Sequence, residues 1–197
     1  MMRRWLLIFL LAWFFWPLRA TAEPPTSWST ATVLQSVANH RQSAARFTEE
    51  KFIGVLDTPL LSEGKLTFRP PDYLEKHTTA PRDEVMIIQD AVLTYTRQGQ
   101  TYTLHLAEHP EATAYANSMR GLLTGNAAIL KQSYALELSG DPAHWTLLLL
   151  PTDTRIASLI KNISVTGAGD SVQMIEYDQT NGDRSVMTIR PASPSAP

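Results

Sequence analysis

The stretch SEGKLTFRPPDYLEKHTTAP, residues 62–81, sets apolar Leu66 and Phe68 against Lys65, Thr67 and Arg69 on alternate positions and then meets two prolines. A period of two marks a strand with one buried and one wet face. Pro70 and Pro71 lack the N–H that a sheet ladder needs, so the strand stops at Arg69 and the chain turns. Around it, β-prone runs are expected at about 46–55, 63–69, 73–78, 84–89, 92–97 and 101–107, separated by Pro, Gly, Asp and Asn. In the last of these Tyr102, Leu104 and Leu106 oppose Thr103 and His105, which repeats the one-sided pattern.

Two segments change period. Trp28, Ala31, Val33, Leu34, Val37 and Ala38 recur at helical spacing over 28–42. Pro110 opens a second helix whose stripe holds Ala112, Tyr115, Ala116, Met119, Leu122 and Leu123 and which ends near Gly125-Asn126. A short helical piece through Leu130 is expected next, and a helical turn at Ala157–Ile160. Strands resume at about 133–139, 144–151, 161–166, 171–177 and 184–190, with turns at Gly140-Asp141-Pro142, Gly167–Asp170 and Asn181-Gly182-Asp183. Roughly ten strands, one leading helix and one inserted helix make an α+β domain with an antiparallel sheet. So many strands curl, and the apolar face looks larger than two helical stripes can fill. It is either an ordinary core or a hollow for an apolar guest.

Arg3 and Arg4, an apolar run from Trp5 to Trp16, and Ala20-Thr21-Ala22 together read as a secretory signal over residues 1–22. The run is shorter than the ~20 residues of a spanning helix. The domain is expected at 23–190, and Pro191–Pro197 reads as a disordered tail. The leader carries three of the 17 basic residues and none of the 19 acidic ones, leaving 14 basic against 19 acidic. That balance argues against nucleic acid and anionic membrane surfaces as partners. With no cysteine, disulfides, thiol chemistry and a lipidation site are excluded.

Motifs for catalysis are missing. His105 and His109 flank the end of a strand rather than sharing a helix face, and no H-E-x-x-H accompanies them. Ser62, Ser118, Ser133 and Ser139 lack a G-x-S-x-G setting. Glu49-Glu50 and Asp83-Glu84 are adjacent pairs, which a strand points to opposite faces. Gly167-Ala-Gly169 lies between strands, with no helix to receive a phosphate. Neither an enzyme, a cofactor nor a metal is expected.

The leading helix, Phe47-Thr-Glu-Glu-Lys-Phe52, the strand from Leu61 through Gly64-Lys-Leu-Thr-Phe-Arg-Pro70 to Leu74, and Thr79-Ala-Pro81 together resemble the outer-membrane lipoprotein carrier LolA family. Leu148-Leu-Leu-Pro151 matches that pattern later in the chain. The interposed Pro71-Asp72 looks more like divergent LolA-like proteins that accompany exporters of lipids or pigment-type polyenes. The resemblance implies a strongly curved half-barrel sheet lidded by helices. It further implies a monomeric periplasmic carrier that takes acylated lipoproteins or other hydrophobic cargo from an inner-membrane exporter to an outer-membrane acceptor. A non-enzymatic envelope sensor or assembly factor on the same fold is the alternative. In the family, an arginine before the proline hydrogen-bonds lid carbonyls, a role that falls here to Arg69. Tyr73 or Leu74 takes the aromatic position after the proline. Leu66, Phe68, Tyr102 and Leu104 are the sheet's candidates for lining a cavity. Tyr115, Met119, Leu122 and Leu123 are the lid's.

Overall fold

The computed structural model describes residues 28–39 and 44–192. The predicted leader and residues 193–197 of the predicted tail lie outside the described residues. Six strands come first after helix α1 (Thr30–Asn39): β1 (Ala44–Phe52), β2 (Leu60–Arg69), β3 (Tyr73–Ala80), β4 (Glu84–Gln89), β5 (Val92–Arg97) and β6 (Gln100–His105). Helices α2 (Pro110–Leu123) and α3 (Ala127–Lys131) follow, then β7 (Tyr134–Asp141), β8 (His144–Pro151) and the short α4 (Thr154–Ala157). Strands β9 (Ile160–Ala168), β10 (Ser171–Gln179) and β11 (Arg184–Pro191) complete the fold. Among the described residues no helix is long and apolar enough to cross a membrane.

All eleven strands form one antiparallel sheet in the order β6-β5-β4-β3-β2-β1-β11-β10-β9-β8-β7. Two meanders are joined at the centre, where β1 pairs β11 with Phe47 opposite Ile189 and Glu49 opposite Met187. This order places the helices. Strand β6 is one edge and β7 the other, so the chain between them must cross a face of the sheet, and α2 and α3 lie on that crossing. The sheet is unclosed and curved, and the helices cover its inner face.

The core concentrates under the helices on the β7–β10 half. Trp145, Leu147 and Leu149 of β8 and Ile163 and Val165 of β9 are buried at every second position. They pack with Val33, Leu34 and Val37 of α1 and with Ala114, Ala116, Met119 and Leu122 of α2. Burying such side chains contributes roughly 1.5–3 kcal/mol each, which favours the helices on this half of the face. Gly125, at φ +65°, ends α2 where a Cβ would come 2.6 Å from the Leu34 carbonyl oxygen. Gly64 on β2 lets the Phe47 ring lie over the sheet; a Cβ there would sit 2.9 Å from that ring and 2.0 Å from the His77 carbonyl oxygen.

Boundaries moved for identifiable reasons. Strand β6 stops two residues short of the expected end, because Leu106 is buried and its N–H donates to the Ala91 carbonyl at 2.9 Å as the chain leaves the edge. The helical turn expected at 157–160 lies earlier, capped by the Asp153 side chain, which accepts from Arg155 N. Strand β11 runs through Pro191, one residue into the predicted tail.

Candidate functional site

Beyond the filled core, strands β1, β3, β4, β5, β6 and β11, the ends of β9 and β10 at Ile160, Tyr177 and Gln179, and helix α2 enclose a half-open cavity of about 720 Å³. Its inner wall is apolar: Met86, Leu93 and Leu104 on the sheet, Met187 beside them, and Ala112 and Tyr115 on α2. The alternation of each strand decides which residues enter. On β4, Glu84 and Met86 line the cavity and on β5 Leu93 and Tyr95, with Met86 opposite Tyr95 in the register.

The other end is polar. Glu49 of β1 is 6% exposed, and its Oε1 accepts from Ser185 Oγ at 2.6 Å. Its Oε2 accepts from Lys76 Nζ of β3 at 2.5 Å and from Ser62 Oγ at 3.4 Å. Lys76 Nζ also lies 4.9 Å from the centroid of the Phe47 ring. Burial alone would raise the Glu49 pKa, but the Lys76 charge and the hydrogen bonds from Lys76 and Ser185 outweigh it and hold the carboxyl below its ordinary value. Burial pulls the Lys76 ammonium below its ordinary value, with Glu49 opposing. Lys76 and Ser185 both donate to the Glu49 carboxylate, one to each oxygen. Tyr115 and Tyr177 stack at a centroid distance of 5.4 Å. Burial raises both phenol pKa values, with help from the Glu49 charge, so both stay neutral hydroxyls. Among the described residues no group of three or more His, Asp and Glu side chains could hold a metal ion.

The family model for "Outer membrane lipoprotein carrier protein LolA-like" matches residues 22–196. This chain belongs to the LolA-like family. A search of curated proteins found no match. Among solved structures, a LolA superfamily protein from Nitrosomonas europaea is 10% identical, covering 85% of this chain and 95% of its own, with a TM-score of 0.45. The lipoprotein LppX of Mycobacterium tuberculosis is 6% identical over 85% of this chain and 97% of its own, also at 0.45. The MucA/MucB complex of Pseudomonas aeruginosa is 12% identical over 84% of this chain and 58% of that one, at 0.37.

The residues singled out in this LolA-like sequence fall into several places. Leu104 and Tyr115 line the large cavity. Leu66, Phe68, Met119, Leu122 and Leu123 line a separate apolar hollow of about 90 Å³ between α1, α2 and the sheet. Leu74 is buried in the core, whereas Tyr102 is 51% exposed. Arg69 is exposed, and its guanidinium lies over the ring of Tyr73, its partner across the β2–β3 turn, at 4.0 Å from the centroid.

The Arg-Pro corner nevertheless reaches the lid through neighbours that sequence reasoning passed over. Asp72, in the turn after Pro71, accepts from Asp90 N of the β4–β5 turn at 2.8 Å. From α2, Arg120 donates to the Asp90 carbonyl oxygen and approaches Asp72 Oδ2 at 3.9 Å. The only sequence signal for Arg120 is a cation inside an otherwise apolar stripe. In the sequence Glu49 stands out only as half of an acidic pair, and Lys76 carries no signal of its own. The two lie 27 residues apart on non-adjacent strands.

Proposed function

We propose that this LolA-like protein is a periplasmic carrier that shelters the acyl chains of lipoproteins or other hydrophobic molecules and ferries them from an inner-membrane exporter to an outer-membrane acceptor. The observation that carries this reading is the cavity of about 720 Å³, walled by apolar side chains and roofed by α2 in a sheet whose other half is filled. Its volume falls within the several hundred Å³ usual for ligand sites. Each methylene taken from water contributes about 0.8 kcal/mol, so a partly enclosed chain of a dozen carbons gains several kcal/mol.

Other features support delivery. Val55, Leu56, Leu60 and Leu61 are exposed around the β1–β2 turn. The turn is tied by Gly54 N to Asp183 Oδ1 at 2.9 Å, beside the cavity residues Lys51 and Ser185. In this reading the corner formed by Arg69, Asp72 and Arg120 closes the roof. Arg69 orders the turn through Tyr73, and Arg120 pins α2 to that corner.

The test is native mass spectrometry with lipid extraction on protein purified from its own envelope fraction, beside a Leu104→Trp variant that fills the cavity. A bound acylated molecule that is lost in the variant is the expected result. A clean protein that also refuses long-chain fluorescent probes overturns the carrier reading.

A further inference from the structure

The cavity is not uniformly greasy: Thr78 and Gln179 can donate or accept, but its carboxylates are spent while its ammonium groups and a buried phenol are not. The carboxylate acceptors are occupied: Glu49 takes hydrogens from Ser185, Lys76 and Ser62, and Glu84 is paired with Arg97 at 3.1 Å. The donors are not. Lys76 has three N–H groups and spends one on Glu49. The Tyr115 hydroxyl lines the cavity with no hydrogen-bond partner among the described residues. Lys51, exposed at the rim and lining the same cavity, has no ion-pair partner among the described residues.

Charge points the same way. The lining sets Glu49 and Glu84 against Lys76 and Lys51; with Glu49 paired to Lys76 and Glu84 to Arg97 from outside the lining, Lys51 is the cation left without an ion pair among the described residues. A neutral alkyl chain would leave buried donors unanswered, and a cationic head would meet an ammonium with its nearest carboxylates already engaged.

We propose that the cavity reads an anionic oxyacid head as well as an acyl chain. The ligand lies with its chain against Met86, Leu93, Leu104 and Met187. Its carboxylate or phosphate oxygens accept from Lys76, Tyr115 and Lys51. The inference rests on the carrier reading and adds the class of head that the cargo presents.

The test titrates the delipidated full-length protein at pH 8 with palmitate, 1-palmitoyl lysophosphatidate, hexadecanol and hexadecyltrimethylammonium, each below its micelle concentration. The readout is the affinity of each charged ligand relative to hexadecanol on the same protein, so that a general folding defect cancels. One charge-assisted hydrogen bond corresponds to about tenfold in affinity. Palmitate or lysophosphatidate is therefore expected to bind at least about tenfold more tightly than hexadecanol, and the ammonium more weakly. Whichever anion leads distinguishes a free fatty acid from a phospholipid source. Tyr115→Phe and Lys51→Gln should each lower the anion-to-alcohol ratio by about three- to tenfold. Equal binding of palmitate and hexadecanol, or a ratio that neither variant moves, overturns head recognition and leaves the carrier reading standing. No binding of any of the four ligands overturns both.

Discussion

At the scale of single residues, the Glu49–Lys76 pair is the most consequential feature. Two charges taken out of water by the fold stabilise each other only while both are present, and removing one strands the other. Glu49→Gln is expected to cost roughly 3 kcal/mol, measured by denaturant unfolding, because Lys76 stays buried without its counter-ion. The double change Glu49→Gln with Lys76→Met should recover most of that loss, and a single variant as stable as the parent would show that the pair contributes nothing. The sign with pH follows from the carboxyl's depressed pKa. As pH falls, Glu49 protonates first in the unfolded chain, near its ordinary 4.5, and only later in the folded one. Its contribution is whole above about 4.5 and declines as pH drops through the folded value, so Glu49→Gln should flatten that part of the stability profile. Adjacent Glu50 is exposed, as strand alternation requires, which is why the acidic pair never acts as one.

At the scale of elements, helix α2 is held by two different means. Its Ala114, Ala116, Met119 and Leu122 are buried over the sheet, while Arg120 ties it to the β4–β5 turn through the Asp90 carbonyl oxygen and stands near Asp72. Apolar packing is tolerant of small shifts, whereas a charge-assisted hydrogen bond is directional. Arg120→Leu should therefore release the last turn of the helix, with amide hydrogen exchange there rising about tenfold while that of β8 stays unchanged. An unchanged α2 would mean that packing alone holds the roof. The same change in Arg69, stacked on Tyr73, should act more weakly, since its guanidinium is exposed. The helix itself was legible from Pro110 and the stripe ending at Leu123, and the structure places it at Pro110–Leu123. Its attachment was not, because the turn that receives Arg120 lies 30 residues away.

At the scale of the whole molecule, the sheet closes its chain by pairing its first strand with its last. Residues 44–52 meet 184–191, so neither meander is continuous with the other until the C-terminal strand is in place. A chain ending at residue 183 should lose the cooperative thermal transition of the full protein; a retained transition would show that the two meanders fold as separate units. Alternation along Leu66–Arg69 and Tyr102–His105, the prolines after Arg69 and the helical stripes are local features, and the sequence by itself determined the order of elements and the face each residue takes. It also carried the family, since Gly64-Lys-Leu-Thr-Phe-Arg-Pro70 is one contiguous run. What only the tertiary structure decided is non-local. The edge positions of β6 and β7 send α2 across the sheet. Curvature leaves one half hollow while the other fills. Glu49 meets Lys76 and Ser185 from 27 and 136 residues away. Local periodicity states which way a side chain points, and only the pairing of distant strands states what it points at.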